Sequence, residues 1–218
     1  MSVREKIRDM IKFITENFVA EVPRNIYDPE EFVSRIDAAS GKYIPVTTTL
    51  VLLNACLGNN TLIEGGCGTS KTQLASVAGS MLFGVPYELY ERRRVIGTEE
   101  ASINDIYATH DLAELNGGRD VAYLYLPFFM PLLVIDELNR FSPLGQNLVR
   151  EGIATGNWNY GNHSWFVEDQ IVVSAINPES YGGTFELNEN LADNFAVTLE
   201  PAYYNAFAHN PIVTGARI

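Results

Sequence analysis

Apolar residues recur along this chain at distinct spacings, and those spacings predict its elements. Val3, Ile7, Met10 or Ile11, Ile14 and Phe18 repeat at helical intervals, which predicts an amphipathic leading helix packed on the body or on a partner. Asp28-Pro29-Glu30-Glu31 reads as a helix start for Phe32 to Ala39, with proline in the first turn and acids at the positive end. Gly41 to Pro45 reads as a linker and Thr48 to Leu57 as a helix. Thr61 to Glu64 reads as a strand entering a glycine-rich loop, and Leu132 to Ile135 and Ile171 to Ile176 are short apolar runs of the kind buried in a parallel sheet. Lys71 to Leu82 reads as a helix, and Val85 to Leu89 as a short strand that Pro86 confines to an edge or a strand start. Tyr123 to Phe129 is apolar and aromatic, either core, a hairpin strand or a partner-facing stripe. Pro143 to Ala154 is expected to be a helix burying Leu144, Leu148 and Ile153. Gly156 to Asn162 is expected to turn between two short strands, the second being Ser164 to Val167, with Trp158 and Trp165 packing across the hairpin. Pro201 to Pro211 reads as a last partial helix or a docking tail. Together these segments predict a three-layer α/β domain with a mostly parallel sheet and a binding site at the carboxyl ends of its strands.

The segment Thr61 to Thr72, TLIEGGCGTSKT, carries the chemistry such an edge needs. Gly65, Gly66 and Gly68 let the backbone fold tightly enough to aim several N–H groups at one anion. Lys71 adds a point charge, and the Thr72 hydroxyl is suited to magnesium. The candidate phosphate-binding set is therefore Gly65, Gly66, Cys67, Gly68, Thr69, Ser70, Lys71 and Thr72. The spacing is that of G-x-x-x-x-G-K-[ST], except that Ser70 stands where glycine is usual, so the backbone there must hold a negative φ or accept strain. The bland alternative is a glycine-rich turn before a helix. Asp136 and Glu137 follow the second apolar run; Asp136 is suited to hold magnesium and Glu137 to orient and deprotonate an attacking water. As an alternative, acidic pairs after strands serve as turn residues or caps. If the third run lies beside the Asp136 strand, the Asn177 amide comes near the γ-phosphate and the attacking water; Asn-Pro is also a common turn signal.

Composition narrows the classes. The chain has 218 residues, 46% of them apolar, enough for one sizeable core. No apolar stretch approaches the length of a membrane span, and the amino terminus lacks the apolar core of a signal peptide. A net charge of −12 disfavours non-specific attraction to nucleic acid or anionic lipid. Cys56 and Cys67 make neither a disulfide framework nor a zinc cluster, and a reducing cytoplasm is their natural setting. The arginines at 92 to 94 read as a solvated face or an interface. His110, His163 and His209 lack ligand spacing, so no metal site is expected beyond nucleotide-bound magnesium.

Taken in order, LIEGGCGTSKT, LLVIDELNR and VVSAINPESYGGTFELNENLADNF resemble the AAA+ ATPases of the MoxR type over residues 41 to 200. The resemblance implies a P-loop core that binds ATP and Mg2+ and couples hydrolysis to remodelling or metal-related maturation of a partner. It also implies a homo-oligomeric ring, a hexamer by family pattern, with a client or a metal-adhesion-domain protein as partner. By the same match Lys71 and Thr72 bind nucleotide and magnesium, Asp136 and Glu137 form the acidic motif, Asn177 is a sensor, and Asn139-Arg140 matches the family's Asn-Arg. Thr184, Glu189, Asp193 and Phe195 match the later motif, Ile44 and Val46 flank the adenine, and Ile96 to Gly118 is an insert that lines or caps a ring. Residues 1–40 then form a helical extension and 201–218 a tail or the start of a lid. Two departures stand out. Asn194 occupies a position expected to carry arginine, leaving Arg140 or Arg150 as other sources of a cation, and only about twenty residues follow Leu199 where the family has a small helical lid, which leaves a truncated chain, a degenerate relative or a lid supplied by another chain as alternatives. They keep open a catalytically weak nucleotide-binding subunit of a ring; a kinase is disfavoured because no acceptor-binding domain is evident.

Overall fold

The computed structural model describes residues 20–21, 33–37, 42–66, 71–178, 180 and 182–200, with backbone alone for 20–21, 33–37, 42–49 and Ile103. The leading helix expected over Val3 to Phe18, the loop residues Cys67 to Ser70 and the tail from Pro201 lie outside the described residues. Strands β1 (Ala20–Glu21), β2 (Val33–Asp37) and β3 (Lys42–Pro45) form a small antiparallel sheet in the order β1-β3-β2. This overturns both the helix expected for Phe32 to Ala39 and the linker expected at Gly41 to Pro45. The helix-start signal at Asp28 is local, whereas β2 gains its ladder from a strand that pairs Val33 with Pro45 and Arg35 with Tyr43.

The chain continues through α1 (Val46–Cys56), β4 (Thr61–Glu64), α2 (Lys71–Phe83), α3 (Tyr87–Arg93) and β5 (Val95–Ile96). It goes on through α4 (Ile103–Ile106), β6 (Ala108–His110), α5 (Leu112–Asn116), β7 (Ala122–Leu124), a 3-10 turn over Leu126–Phe129 and β8 (Leu132–Asp136). After a second 3-10 turn over Leu138–Arg140 come α6 (Pro143–Thr155), β9 (Asn157–Tyr160), β10 (His163–Phe166), β11 (Ile171–Ile176), α7 (Glu189–Ala192) and β12 (Val197–Leu199).

Five parallel strands make the central sheet in the order β12-β4-β11-β8-β5. Their side chains alternate between two cores, as the two-residue strand period requires. Leu133, Ile135, Val172 and Ile176 face a core shared with α6, α7 and the aromatic residues Phe128, Phe141 and Trp158. Leu132, Val134, Ile171 and Val173 face the core beneath α1, α2 and α3. The expected three-layer α/β architecture is therefore present.

Several local expectations fail in instructive ways. The segment expected as a strand over Val85 to Leu89 instead leads into α3, with Pro86 as its N-cap residue, and the strand that follows it, β5, forms one edge of the sheet. Tyr90 decides this, because it is buried under α2 at Gly79, where a Cβ would collide with the Tyr90 ring. On α6 the buried face is Gly145, Gln146, Val149, Gly152 and Ile153, while Leu144 is 70% exposed. Ser142 caps that helix through Gly145 N, and Gly156 ends it at φ 74°, a left-handed conformation that suits glycine. The hairpin turn is Gly161-Asn162 rather than the whole of Gly156 to Asn162, and Trp158 does stand opposite Trp165.

Candidate functional site

Because β4, β11, β8 and β5 are parallel, their carboxyl ends gather Glu64, Ile176, Asp136 and Ile96 at one edge. The ladder continues past the strands: Gly65 N donates to Ile176 O at 3.2 Å and Gly97 N to Asp136 O at 2.8 Å. Four segments distant in sequence are thereby pinned together where the chain changes direction.

Lys71 opens α2 and is 8% exposed. A buried ammonium is costly unless its protons find oxygens. Here Nζ donates to Gly65 O at 2.6 Å, Gly66 O at 2.9 Å and Asn177 Oδ1 at 3.2 Å. Asn177, also buried, passes the connection on, since its Nδ2 donates to Glu137 Oε1 at 3.2 Å. Its donor to a carboxylate and its acceptor from an ammonium fix which way the amide faces. Buried Asn139 clamps the Asn177 backbone, its Nδ2 donating to Asn177 O at 2.7 Å while its Oδ1 accepts from Asn177 N at 3.4 Å.

Glu137 adopts φ 54° and ψ 43°, the left-handed region that a residue with a Cβ enters at a cost of about 1–2 kcal/mol. That turn sends Leu138 and Asn139 into the core and folds the chain so that Arg140 N donates to Glu137 O at 2.8 Å. Arg140 Nε lies 3.1 Å from Glu137 Oε2. Arg94 Nε lies 3.4 Å from Asp136 Oδ2, and Arg94 Nη1 donates to Glu91 O at 2.9 Å.

Gly65, Gly66, Lys71, Asn177, Glu137 and Arg140 thus form one connected cluster, with Asp136 beside it. Thr72 follows Lys71 on α2, and its carbonyl accepts from Ser76 Oγ at 3.0 Å. Ile44 sits in β3 and Val46 begins α1, with only the backbone described at both. Arg150 is exposed on α6. Asn194 turns its Nδ2 back to Asn190 O at 3.0 Å.

Three features of the site carry little signal in the sequence. Arg94 is not part of a solvated run, because its guanidinium reaches Asp136; the arginine triplet held the signal but not the choice of member. Gly97 matters because a Cβ there would collide with the Glu137 carbonyl oxygen. Gln146 was a helix position without signal, yet it joins α6 to the later motif, donating to Glu186 O at 3.3 Å and accepting from Asn188 N at 2.8 Å. His110 and His163, which lack ligand spacing in the sequence, meet in space at Asp120 with ligand atoms within 4.8 Å of one another.

The central parallel sheet with helices on both faces defines a three-layer α/β protein, an architecture consistent with a P-loop-like fold. The chain is similar in structure to a candidate ATPase from Cytophaga hutchinsonii, with a TM-score of 0.61 and 16% sequence identity over 98% of this chain and 58% of that one. At that identity the likeness establishes the fold, and the chain spans a little over half the length of that protein. No protein-family model matches the chain, and no curated protein matches it in sequence.

Proposed function

We propose that this chain binds MgATP and hydrolyses it, and that turnover remodels or matures a partner protein, as in the MoxR-type AAA+ ATPases its motifs resemble. The observation that carries the reading is the continuous connection Lys71–Asn177–Glu137 across the carboxyl ends of β4, β11 and β8. Lys71 is held among oxygens at the start of a 13-residue helix, where phosphate oxygens can replace carbonyl oxygens as acceptors. The residues therefore fit a nucleotide triphosphate. Thr72 and Asp136 would hold Mg2+, which when bound neutralises charge on the transferring phosphoryl group. Glu137 takes the proton of the attacking water. Asn177 bonds both the phosphate-facing cation and the base, so a change at Lys71 is felt at Glu137 through one side chain.

A second reading, a nucleotide-binding subunit of a ring that hydrolyses poorly, draws on one observation. Asn194, in the turn after α7, presents a neutral amide folded back onto Asn190 of that helix at the position where the resembled family carries a cation. The proposed assembly is a homo-oligomeric ring, hexameric by resemblance, acting on a client such as a metal-adhesion-domain protein. A cytoplasmic setting and no nucleic-acid partner are proposed from cysteine usage and the charge of −12. Among the described residues no helix is long and apolar enough to cross a membrane.

Calorimetry and single-turnover assays test the reading together. Lys71→Ala loses a charged phosphate contact worth about 1.5–3 kcal/mol, so MgATP affinity should fall about 10- to 150-fold. Equal affinity in both proteins would remove the phosphate-loop assignment. Glu137→Gln should keep binding while turnover falls by about 10²- to 10⁴-fold. Binding without measurable turnover in the unaltered chain would favour the second reading.

A further inference from the structure

Away from the strand-end cluster, the two antiparallel hairpins bring a different set of side chains together. His110 ends β6, Asp120 precedes β7, and His163 opens β10, so the set joins parts of the chain 53 residues apart in number (110 to 163). His163 Nε2 lies 3.0 Å and His110 Nδ1 3.2 Å from the same oxygen, Asp120 Oδ1. All three ligand atoms lie within 4.8 Å of one another. Zinc bonds of about 2.0–2.2 Å at tetrahedral angles put neighbouring ligand atoms about 3.3–3.6 Å apart, a few tenths of an ångström beyond the two separations seen.

Two further observations point to a ligand. His110 Nδ1 is buried from solvent and makes no hydrogen bond among the described residues, although Asp120 Oδ1 lies 3.2 Å away. A nitrogen so placed is poorly explained by the carboxylate alone and well explained by an ion between them. The rings are also held in place. His110 packs on Tyr160 with centroids 4.6 Å apart, His163 stacks on Trp165 at 6.0 Å, and Asn162 Nδ2 donates to Asp120 Oδ2 at 3.3 Å. That last bond orients the carboxylate from outside, as outer partners of metal ligands do.

We propose that His110, Asp120 and His163 form a site for a borderline transition-metal dication, zinc being the probe of choice, that clips the β6–β7 hairpin to the β9–β10 hairpin. Two imidazoles and one carboxylate favour zinc-class ions over magnesium or calcium, which take oxygen ligands. Three protein ligands leave a fourth position for water or a group from another molecule. The site shares no residue with the Lys71–Glu137 cluster, and it does not depend on the ATPase reading.

The test titrates zinc into the chelator-treated, nucleotide-free chain against a competing chromogenic chelator, with cobalt substitution as a spectroscopic check. One zinc per chain is expected, and cobalt should give the intense visible bands of a four-coordinate site. His110→Ala and His163→Ala should each weaken zinc binding about 100-fold or more, since even loss of an outer partner costs about 10- to 100-fold. Asp120→Asn preserves shape and should weaken it at least about 10-fold, and His209→Ala should leave it unchanged. Circular dichroism of each apo variant separates lost ligation from lost folding. X-ray absorption on the unaltered zinc-loaded chain needs no variant and should report two imidazole nitrogens at about 2.0–2.1 Å. Absence of stoichiometric zinc uptake, octahedral cobalt spectra, or unchanged affinity in folded His110→Ala and His163→Ala would each overturn the proposal.

Discussion

Asn177 bridges two opposite charges, with a cation at its carbonyl and a carboxylate at its amide nitrogen. Replacing it with alanine removes both bonds but leaves Lys71 its two backbone acceptors, Gly65 O and Gly66 O. Asn177→Ala should therefore bind MgATP within about threefold of the unaltered chain, a loss near the lower end for one hydrogen bond, while single-turnover hydrolysis falls about 10- to 100-fold. A parallel fall in affinity and rate would mean that Asn177 acts only through the position of Lys71. Arg140 is the other partner of Glu137, at 3.1 Å from its second oxygen. If that guanidinium serves as the transition-state cation, Arg140→Ala should lower turnover by a factor approaching 10³, the lower end of the roughly 10³–10⁵ arginine effect in related hydrolases. If it merely restrains the base, the rate should hold or rise, and the same assay separates the two.

At the level of elements, the close approach of β5 to β8 depends on Gly97. A methyl group there meets the Glu137 carbonyl oxygen, so Gly97→Ala must push the acidic turn away. Overpacking of this kind costs about 1–3 kcal/mol, which a urea midpoint will register, and turnover should fall more than nucleotide affinity because Glu137 moves while Lys71 does not. The contact between α2 and α3 carries a pH signature. Burial pushes the Tyr90 hydroxyl up to about 12, and that hydroxyl has no hydrogen-bond partner among the described residues. A tyrosine in the unfolded chain ionises near pH ~10, so the neutral folded form contributes its full stability below that value and loses it as pH rises toward about 12. Tyr90→Phe should consequently match or exceed the unaltered chain at pH ~8 and be clearly more stable at pH ~11. Equal alkaline sensitivity in urea titrations would assign the effect to Tyr87 or Tyr107, both of which burial likewise raises to about 12.

For the whole molecule, the surroundings of the strand-end edge set the rate. Asn194 lies just before β12, tied by its carbonyl oxygen to Asn60 Nδ2 at 3.1 Å, and its side chain offers no charge. If this surface faces a neighbour's nucleotide in a ring, a neutral amide stabilises developing phosphoryl charge less than arginine would. Turnover per chain should then be low, and Asn194→Arg should raise it only at concentrations where mass measurement detects an assembly. Identical, concentration-independent rates for the unaltered chain, Asn194→Arg, Arg140→Ala and Arg150→Ala would reject any arginine acting between subunits.

Features whose signal is short-range are legible along the chain. Leu132 to Ile135 and Ile171 to Ile176 read as doubly buried strands because an uninterrupted apolar run needs cover on both faces, and the phosphate-loop spacing places Lys71 at a helix start without reference to anything distant. From these followed the α/β class and most of the cluster, including Asn177 once its strand was taken to lie beside β8. Tertiary structure decided the rest, because those outcomes depend on partners far along the chain. Val33 to Asp37 became a strand through pairing with β3, against a local helix-start signal, and Tyr87 to Arg93 became a helix because Tyr90 fits the space left by Gly79. Which arginine of three meets Asp136, and that His110, Asp120 and His163 converge at all, are matters of hairpin placement that no periodicity encodes.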